Sequence, residues 1–277
     1  MRDGGGNGGG VGYGHASLGA RWVAAQWLRL ERTRPSTPGG DVDAERRLYR
    51  AVAGKVSVPI TRSSALAQCT QVIDAEVARA IGRGTNQIVL LGAGLDGRAL
   101  RFGGGAVRWF EVDRPAAQAD KRNRLRALDI ATTGITFIAA DLLADDVEPA
   151  LHAAGHDAGA PSLFVAEGLF DTLTLEATAS LCAALRARAA PGSVLVATFS
   201  VTPEGGELVR ALRSATGLLR RVTDEPRRNE FRPGDPQKLM VVTGWRVTHA
   251  ESSPARRLDP GADALILVCE PDPARGG

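Results

Sequence analysis

The residues with the most chemical promise sit at the ends of short apolar runs. The run 88–91 leads into Gly92, Ala93 and Gly94, with Gly97 three residues on, and acidic side chains close later runs at Glu111 and Asp113, at Asp141 and at Glu167. Glycines at such a turn let the backbone bend sharply and come close to a ligand, where any Cβ would collide with it. Asp113 follows Gly92 by 21 residues, a spacing at which a carboxylate can take both hydroxyls of an adenosine ribose. That spacing points to a nucleoside cofactor. Gly92, Gly94 and Gly97 also satisfy G-x-G-x-x-G, a pattern shared by nicotinamide dinucleotide sites, by S-adenosylmethionine sites and by plain tight strand-to-helix turns. Two features favour methyl transfer over hydride transfer. About 85 residues, much of them helical in pattern, precede the glycines, whereas dinucleotide domains often begin at them. The two tyrosines, Tyr13 and Tyr49, lie far upstream, so a Tyr-x-x-x-Lys reductase pair is absent.

Carboxylates and glycines spaced in this way need a parallel sheet to bring them together. From residue 87 onward strand and helix patterns alternate, with strands expected at 88–91, 107–112, 136–139, 163–166 and 194–198 and helices at 115–128 and 174–189. The glycines at 92–94, Asp113, Asp141 and Glu167 then lie beyond carboxyl ends of strands, where open parallel sheets bind ligands. In the helix at 174–189, Thr174 is placed to cap the first turn, with Leu175, Leu181 and Leu185 on the buried face. Two further strand patterns, 245–250 and 265–269, read as a terminal hairpin. Upstream, 17–30 carries Leu18, Trp22, Val23, Trp27 and Leu30 at helical spacing, and a second helix holds Leu48 and Val52. A third helix spans 64–81, with Ile73, Val77, Ala80 and Ile81 on one face and Gly82 and Gly84 as stop signals. One domain is expected over 17–270, a helical cap at 17–84 on an α/β core at 85–270, with flexible tails at 1–16 and 271–277.

Composition is that of a globular protein: 277 residues, 44% hydrophobic, 23% charged, net charge +3. No apolar run approaches the ~18 residues of a membrane span, and the glycine-rich N-terminus lacks the apolar core of a secretory signal. Cys69, Cys182 and Cys269 are odd in number and far apart, which suits a reducing cytoplasm better than a disulfide framework or a zinc site. No metal is expected: His15, His152, His156 and His249 form no cluster, and His152 and His156, with Gly155 between them, read as a solvated helix end. Arginines outnumber the three lysines about tenfold, a bias attributed to genomic base composition, and without a basic aromatic stripe nucleic acid is not an expected partner.

Several segments together resemble the leucine carboxyl methyltransferase family. They are Gln-Ile-Val-Leu-Leu-Gly-Ala-Gly-Leu-Asp-Gly-Arg-Ala-Leu-Arg-Phe (87–102), Phe-Glu-Val-Asp-Arg-Pro (110–115) with Lys121, Ala-Ala-Asp-Leu (139–142), and Ala-Glu-Gly-Leu (166–169) followed by Pro-Gly-Ser (191–193). The resemblance covers about residues 15–270 in the family's order, and it is nearest to the bacterial branch that includes carboxyl O-methyltransferases of polyketide synthesis. It implies an α/β fold with a Rossmann-like seven-stranded class I methyltransferase sheet and an N-terminal helical lid. It further implies that S-adenosylmethionine is the cofactor, with Gly92, Ala93 and Gly94 approaching its methionine part and Asp113 on the ribose hydroxyls. Asp141 and Leu142 would hold the adenine, and Glu167 would face the ammonium group. Read without the resemblance, Asp141 is equally a helix cap and Glu167 a surface charge after a strand.

Three departures bear on the site. The family's Arg-Thr-Arg segment, whose arginine grips the cofactor carboxylate, corresponds here to Cys69-Thr70-Gln71-Val72-Ile73-Asp74, and Arg62 is a nearby candidate replacement. The Met-Tyr-Leu type ending after Glu-Gly-Leu is Phe170-Asp171-Thr172-Leu173, and the usual threonine after Leu-Asp is Gly97. The expected reaction is O-methylation of a carboxylate on a small-molecule or peptide natural product. Such a nucleophile, with a pKa near ~4, is ionised at neutral pH and needs no general base. The acceptor is expected between the N-terminal helices and the segment 202–244, which carries Arg210, Arg213, Arg220, Arg221, Arg227, Arg228 and Arg232. A non-catalytic relative that binds a partner and an NAD(P)-dependent oxidoreductase are the alternatives.

Overall fold

The computed structural model describes residues 18–30, 34–53, 64–202, 228–229, 231–253 and 263–275. Three helices come first, α1 (Leu18–Leu30), α2 (Val42–Ala53) and α3 (Ser64–Gly82). Then strand and helix alternate: β1 (Gln87–Leu91), α4 (Arg98–Arg101), β2 (Arg108–Asp113), α5 (Pro115–Ala127), β3 (Ile135–Ala139), α6 (Val147–Ala153), β4 (Leu163–Ala166), α7 (Leu175–Ala187) and β5 (Val194–Val201). Helix α8 (Asp235–Val242) precedes the hairpin strands β6 (Trp245–Ser253) and β7 (Asp263–Pro271). The seven strands form one sheet in the order β3-β2-β1-β4-β5-β7-β6, with β7 antiparallel to β5 and to β6 and the other pairs parallel.

Strand β1 is buried along its whole length because it is covered on both faces. Its alternate residues divide between two cores. Ile88 and Leu90 pack with Ile73, Val77 and Ala80 of α3, while Val89 and Leu91 pack with Phe110, Phe164, Leu181 and Trp245. A third cluster seats the cap: Trp27, Leu48, Tyr49 and Val52 pack on Leu100, Leu125 and Ile130. Helix α5 begins where Pro115 follows Arg114 in extended backbone, since proline fits the first helical position and disfavours helix in the residue before it.

Several sequence expectations are corrected. Leu175 is 52% exposed in the first turn of α7, whose buried stripe runs instead through Thr178, Leu181, Cys182 and Leu185; the cap, Thr174 Oγ1 accepting from Ala177 N, is as expected. The helix after the glycines has only four residues, because Gly103 and Gly104 follow it and its end abuts the turn at Gly39 and Gly40. Residues 271–275, expected as a loose tail, finish β7 and form a 3₁₀ turn, with Asp272 N donating to Gly244 O. His152 is exposed at the end of α6, but His156 is buried, not solvated. The expected tail at 1–16, Arg62, and Arg210, Arg213, Arg220, Arg221 and Arg227 lie outside the described residues; Arg228 and Arg232 are exposed. Among the described residues no helix is long and apolar enough to cross a membrane, and no group of His, Cys, Asp and Glu could hold a metal.

Candidate functional site

The order β2-β1-β4 places the carboxyl ends of β1, β2 and β4 side by side, at the point where chain connections diverge to opposite sides of the sheet. Gly92 N and Ala93 N both donate to Val112 O, which draws the loop after β1 across the end of β2. Gly92 and Gly94 have φ of +63° and +46°, the left-handed region that side chains resist. At Gly94 the nearest atom to an added Cβ would be Gly92 O at 3.9 Å, so backbone conformation and not crowding by the protein selects glycine there. Asp113 Oδ2 accepts from Gly94 N at 2.6 Å and Oδ1 from Arg114 N at 2.7 Å. A carboxylate has about four lone-pair directions, so two remain for hydroxyl donors from a ligand. Ala140 N donates to Asp113 O, and this bond sets Asp141 beside the same strand end. Asp141 Oδ1 accepts from Leu143 N at 3.1 Å, a local turn that leaves its second oxygen available, while Leu142 is 8% exposed and packs into the core.

A cavity of about 160 Å³ lies between cap and sheet. The cap contributes Val23, Trp27 and Leu66, and the sheet side contributes Leu90, Leu91, Gly92, Ala93, Asp96, Val165, Glu167 and Gly168. Of the expected residues, Gly92, Ala93 and Glu167 meet at this cavity, whereas Gly94, Asp113, Asp141 and Leu142 continue along the neighbouring strand ends.

Glu167 is neither a surface charge nor an unattached one. Its Oε2 takes Arg98 Nη1 at 2.6 Å and its Oε1 takes Thr70 Oγ1 at 3.3 Å. Burial raises its pKa, against the pull of Arg98. Arg98 is fully buried and joins three carboxylates, with Nε on Asp74 Oδ1 at 2.7 Å and Nη1 on Asp96 Oδ2 at 2.5 Å as well as on Glu167. Burial works against the Arg98 charge, but Asp96, Glu167 and Asp74 outweigh it and hold the guanidinium protonated. The network continues into the cap: Arg34 bridges Asp74 at 2.5 Å and Glu45 at 3.0 Å, and Glu45 also receives Arg101 and the Tyr49 hydroxyl. Burial pushes the Asp74 pKa up, but Arg98 and Arg34 more than reverse this, so Asp74 is an anion throughout the neutral range.

Sequence reasoning missed Trp27, Tyr49, Asp74, Asp96 and Arg98 as members of this region. Part of the signal was present: Asp96 and Arg98 lie inside the glycine motif, and Thr70 and Asp74 are four residues apart, hence on one face of α3. Nothing local marks Trp27 or Tyr49, which arrive through the packing of α1 and α2.

A family model described as leucine carboxyl methyltransferase matches residues 32–186. A protein of Streptomyces coelicolor with the provisional name of an S-adenosyl-L-methionine-dependent methyltransferase is 37% identical over 160 residues, 57% of this chain and 53% of its own. One of Mycobacteroides abscessus with the same provisional name is 33% identical over 189 residues, 65% of this chain and 62% of its own. The chain therefore spans 53% and 62% of the length of these two relatives. Among solved structures, magnesium protoporphyrin IX methyltransferase from Synechocystis, with bound SAH, superposes with a TM-score of 0.53 at 16% identity, covering 82% of this chain and 92% of its own. A SAM-dependent methyltransferase from Methanosarcina mazei gives 0.51 at 10% identity, covering 69% and 96%. At such identities these two likenesses bear on the fold, and the sheet is that of the class I methyltransferases.

Proposed function

The chain belongs to the leucine carboxyl methyltransferase family, and from that premise we propose that it is an S-adenosylmethionine-dependent O-methyltransferase acting on a carboxylate of a small-molecule or peptide acceptor. The observation that carries this reading is the carboxylate of Asp113 held against the glycine loop, 2.6 Å from Gly94 N, beside a cavity that Glu167 lines. The residues present fit the cofactor. Asp113 keeps lone pairs for two ribose hydroxyls, and Asp141 keeps one oxygen for the adenine amine. Gly94 leaves the space where a Cβ would otherwise stand. Asp96 and Glu167 give the cavity wall the negative charge that an ammonium and a sulfonium require.

When bound, the cofactor supplies an electrophilic methyl group. The share of the protein is alignment and exclusion of water, a contribution that reaches roughly 7–11 kcal/mol at its limit. Trp27, Val23 and Leu66 form the dry cap side of the cavity, and the floor from Leu90 to Ala93 fixes the other side. A carboxylate acceptor arrives ionised, so no side chain has to remove a proton, and the cavity wall accordingly carries carboxylates fixed by Arg98 in place of a histidine base. A cytoplasmic site of action belongs to the same proposal, supported by Cys69, Cys182 and Cys269, all free and buried.

Calorimetric titration with S-adenosylmethionine and S-adenosylhomocysteine tests the cofactor, and micromolar binding of both is expected. Absence of binding at millimolar ligand would favour a non-catalytic binding protein, a reading that draws on the arginine missing at Gln71 and the tyrosine missing at Thr172. Binding of a nicotinamide dinucleotide instead would favour the oxidoreductase. With an acceptor identified by product mass, the product should be a methyl ester cleaved by mild alkali, and the rate should stay nearly flat from about pH 6 to 9. A rate that climbs tenfold per pH unit, or an alkali-stable product, would replace the carboxylate with a phenol or an amine.

A further inference from the structure

Gly97 differs from the glycines before it. Its backbone angles, φ −98° and ψ 7°, are ordinary for any residue, so conformation does not explain it. Space does. A Cβ at Gly97 would lie 2.5 Å from Glu45 Cγ and 2.9 Å from the Tyr49 hydroxyl oxygen, both on α2 of the cap. In the space thus left open, Tyr49 Oη accepts the Gly97 N–H at 2.8 Å and donates to Glu45 Oε1 at 3.0 Å. Glu45 is held in turn by Arg34 and Arg101. The hydroxyl therefore has one orientation, and burial raises the tyrosine pKa, so the proton stays on it. On its other side the Tyr49 ring packs against Trp27 in a tilted arrangement, with centroids 4.9 Å apart and planes at 34°. Trp27 lines the cavity, and its Nε1 donates to Thr70 Oγ1, which donates to Glu167 Oε1. One aromatic pair of the cap thus reaches both the end of the glycine loop and the carboxylate across the cavity.

We propose that Tyr49 is a positioning residue for cofactor binding: from the cap it supplies the hydroxyl that fixes the end of the glycine loop at Gly97, and Gly97 is glycine to admit it. The inference rests on the methyltransferase reading above and gives the cap a share in cofactor affinity besides covering the acceptor. Removing the hydroxyl strands a buried N–H at Gly97 and loosens the loop, the part of the site that faces the methionine moiety. The ribose contact at Asp113 remains, because it depends on Gly94 and Arg114.

The test titrates wild type and Tyr49→Phe with two ligands, S-adenosylhomocysteine and 5′-methylthioadenosine, which has the nucleoside but no amino-acid moiety. The expected result is a loss of about tenfold in affinity for S-adenosylhomocysteine, against less than about twofold for 5′-methylthioadenosine, with an unchanged circular dichroism spectrum. Unchanged affinity for S-adenosylhomocysteine, or equal weakening of both ligands, overturns the positioning role. Gly97→Ala probes the same contact from the loop side with the Tyr49 ring intact, and should reproduce the selective loss even if Tyr49→Phe folds poorly. A Gly97→Ala protein that ranks the two ligands as wild type does also overturns it. Failure is separable at the two levels: wild type that binds neither ligand removes the methyltransferase reading, whereas wild type that binds and variants that do not discriminate remove only the role of Tyr49.

Discussion

The two ends of the central strands carry buried polar clusters of opposite kind. At the amino ends, Gln87, His156, Ser162, Arg188 and Ser193 are joined mostly through neutral groups. Gln87 Oε1 accepts from Asp157 N at 2.8 Å, its Nε2 donates to Asp157 O at 2.9 Å, and Ser193 Oγ accepts from Ser162 N at 3.0 Å. Arg188 Nε donates to His156 Nδ1 at 3.1 Å, which assigns the ring proton to Nε2 and hence a donated bond to Ser162 Oγ at 3.0 Å. At the carboxyl ends, Arg34, Arg98 and Arg101 face Glu45, Asp74, Asp96 and Glu167, four carboxylates against three guanidiniums. The first cluster, whose one internal charge, Arg188, is paired with Glu148 at 2.7 Å, fastens the sheet. The second is charged, one anion in excess, and two of its carboxylates line a cavity. Buried charge is costly to assemble; placed where a cationic ligand can enter, it is also what such a ligand would recognise.

The sharpest way to break this contrast is Arg98→Met. It leaves Asp74, Asp96 and Glu167 deprived of their shared partner in a buried place, so a loss of about 3–5 kcal/mol in unfolding free energy is expected from urea titration. A loss below about 1 kcal/mol would mean that the network is hydrated and does not behave as buried charge. Next in size is Asp113→Ala, which alters binding more than folding. Losing two charge-assisted hydrogen bonds should cost a few kcal/mol of affinity for S-adenosylmethionine, at about 1.5–3 kcal/mol each. S-adenosylhomocysteine should lose comparably, since the two share the ribose, and a variant that discriminates between them would move Asp113 away from the ribose. Smaller again is Ser162→Ala at the amino end. It removes the partner of His156 Nε2 and one partner of Gln87 Nε2, which keeps Asp157 O, so about 1–3 kcal/mol of stability should disappear. Ligand affinity should be unchanged, and a shifted affinity would show that the two ends are coupled.

Legibility from sequence follows the same division. The strands from β1 to β5 and the terminal hairpin could be read because apolar runs bounded by Gly, Pro and Asp have few alternatives, and boundaries moved by only a few residues. Asp113 was locatable because its distance from Gly92 is fixed by one strand-helix-strand unit. Glu167 was expected at the end of β4 and lines the cavity, but its engagement by Arg98 was not foreseen, since nothing local says that a side chain from the start of α4 will meet the end of β4. Tyr49 entered the sequence reading only as a tyrosine in the wrong place for a reductase. Its bond to Gly97 spans 48 residues and exists because the cap packs on α4. Helix α6 was read only at its end, near His152, because Pro149 and the short length hide its helical period and its start after the cap Asp146. His156 was misplaced for a related reason: the turn at Gly155 reads as solvent-exposed, but it folds the next residue back between Phe110 and Phe164.

The smallest expected effect is on pH dependence, and it isolates one group of the amino-end cluster. Burial, with the nearby charges of Arg188 and Arg108, pushes the His156 pKa down to about 4, against the opposing pull of Asp157. Between about pH 6.5, the ordinary histidine value, and pH 4 the unfolded chain therefore holds a proton that the folded chain refuses. The contribution of His156 to stability is complete above that window and is lost as pH falls through it. Glu167 and Glu111 act in the opposite direction, because burial raises their pKa values and the folded chain takes up protons first, whereas Asp74, held low by Arg98 and Arg34, acts in the same direction as His156. Net acid sensitivity thus mixes the two ends of the sheet, and the difference between wild type and His156→Gln isolates one of them. Melting temperatures recorded from pH 7 down to pH 5 should fall less steeply in His156→Gln than in wild type. Parallel profiles would show that the ring is solvated in the folded protein and that Arg188 does not hold it neutral.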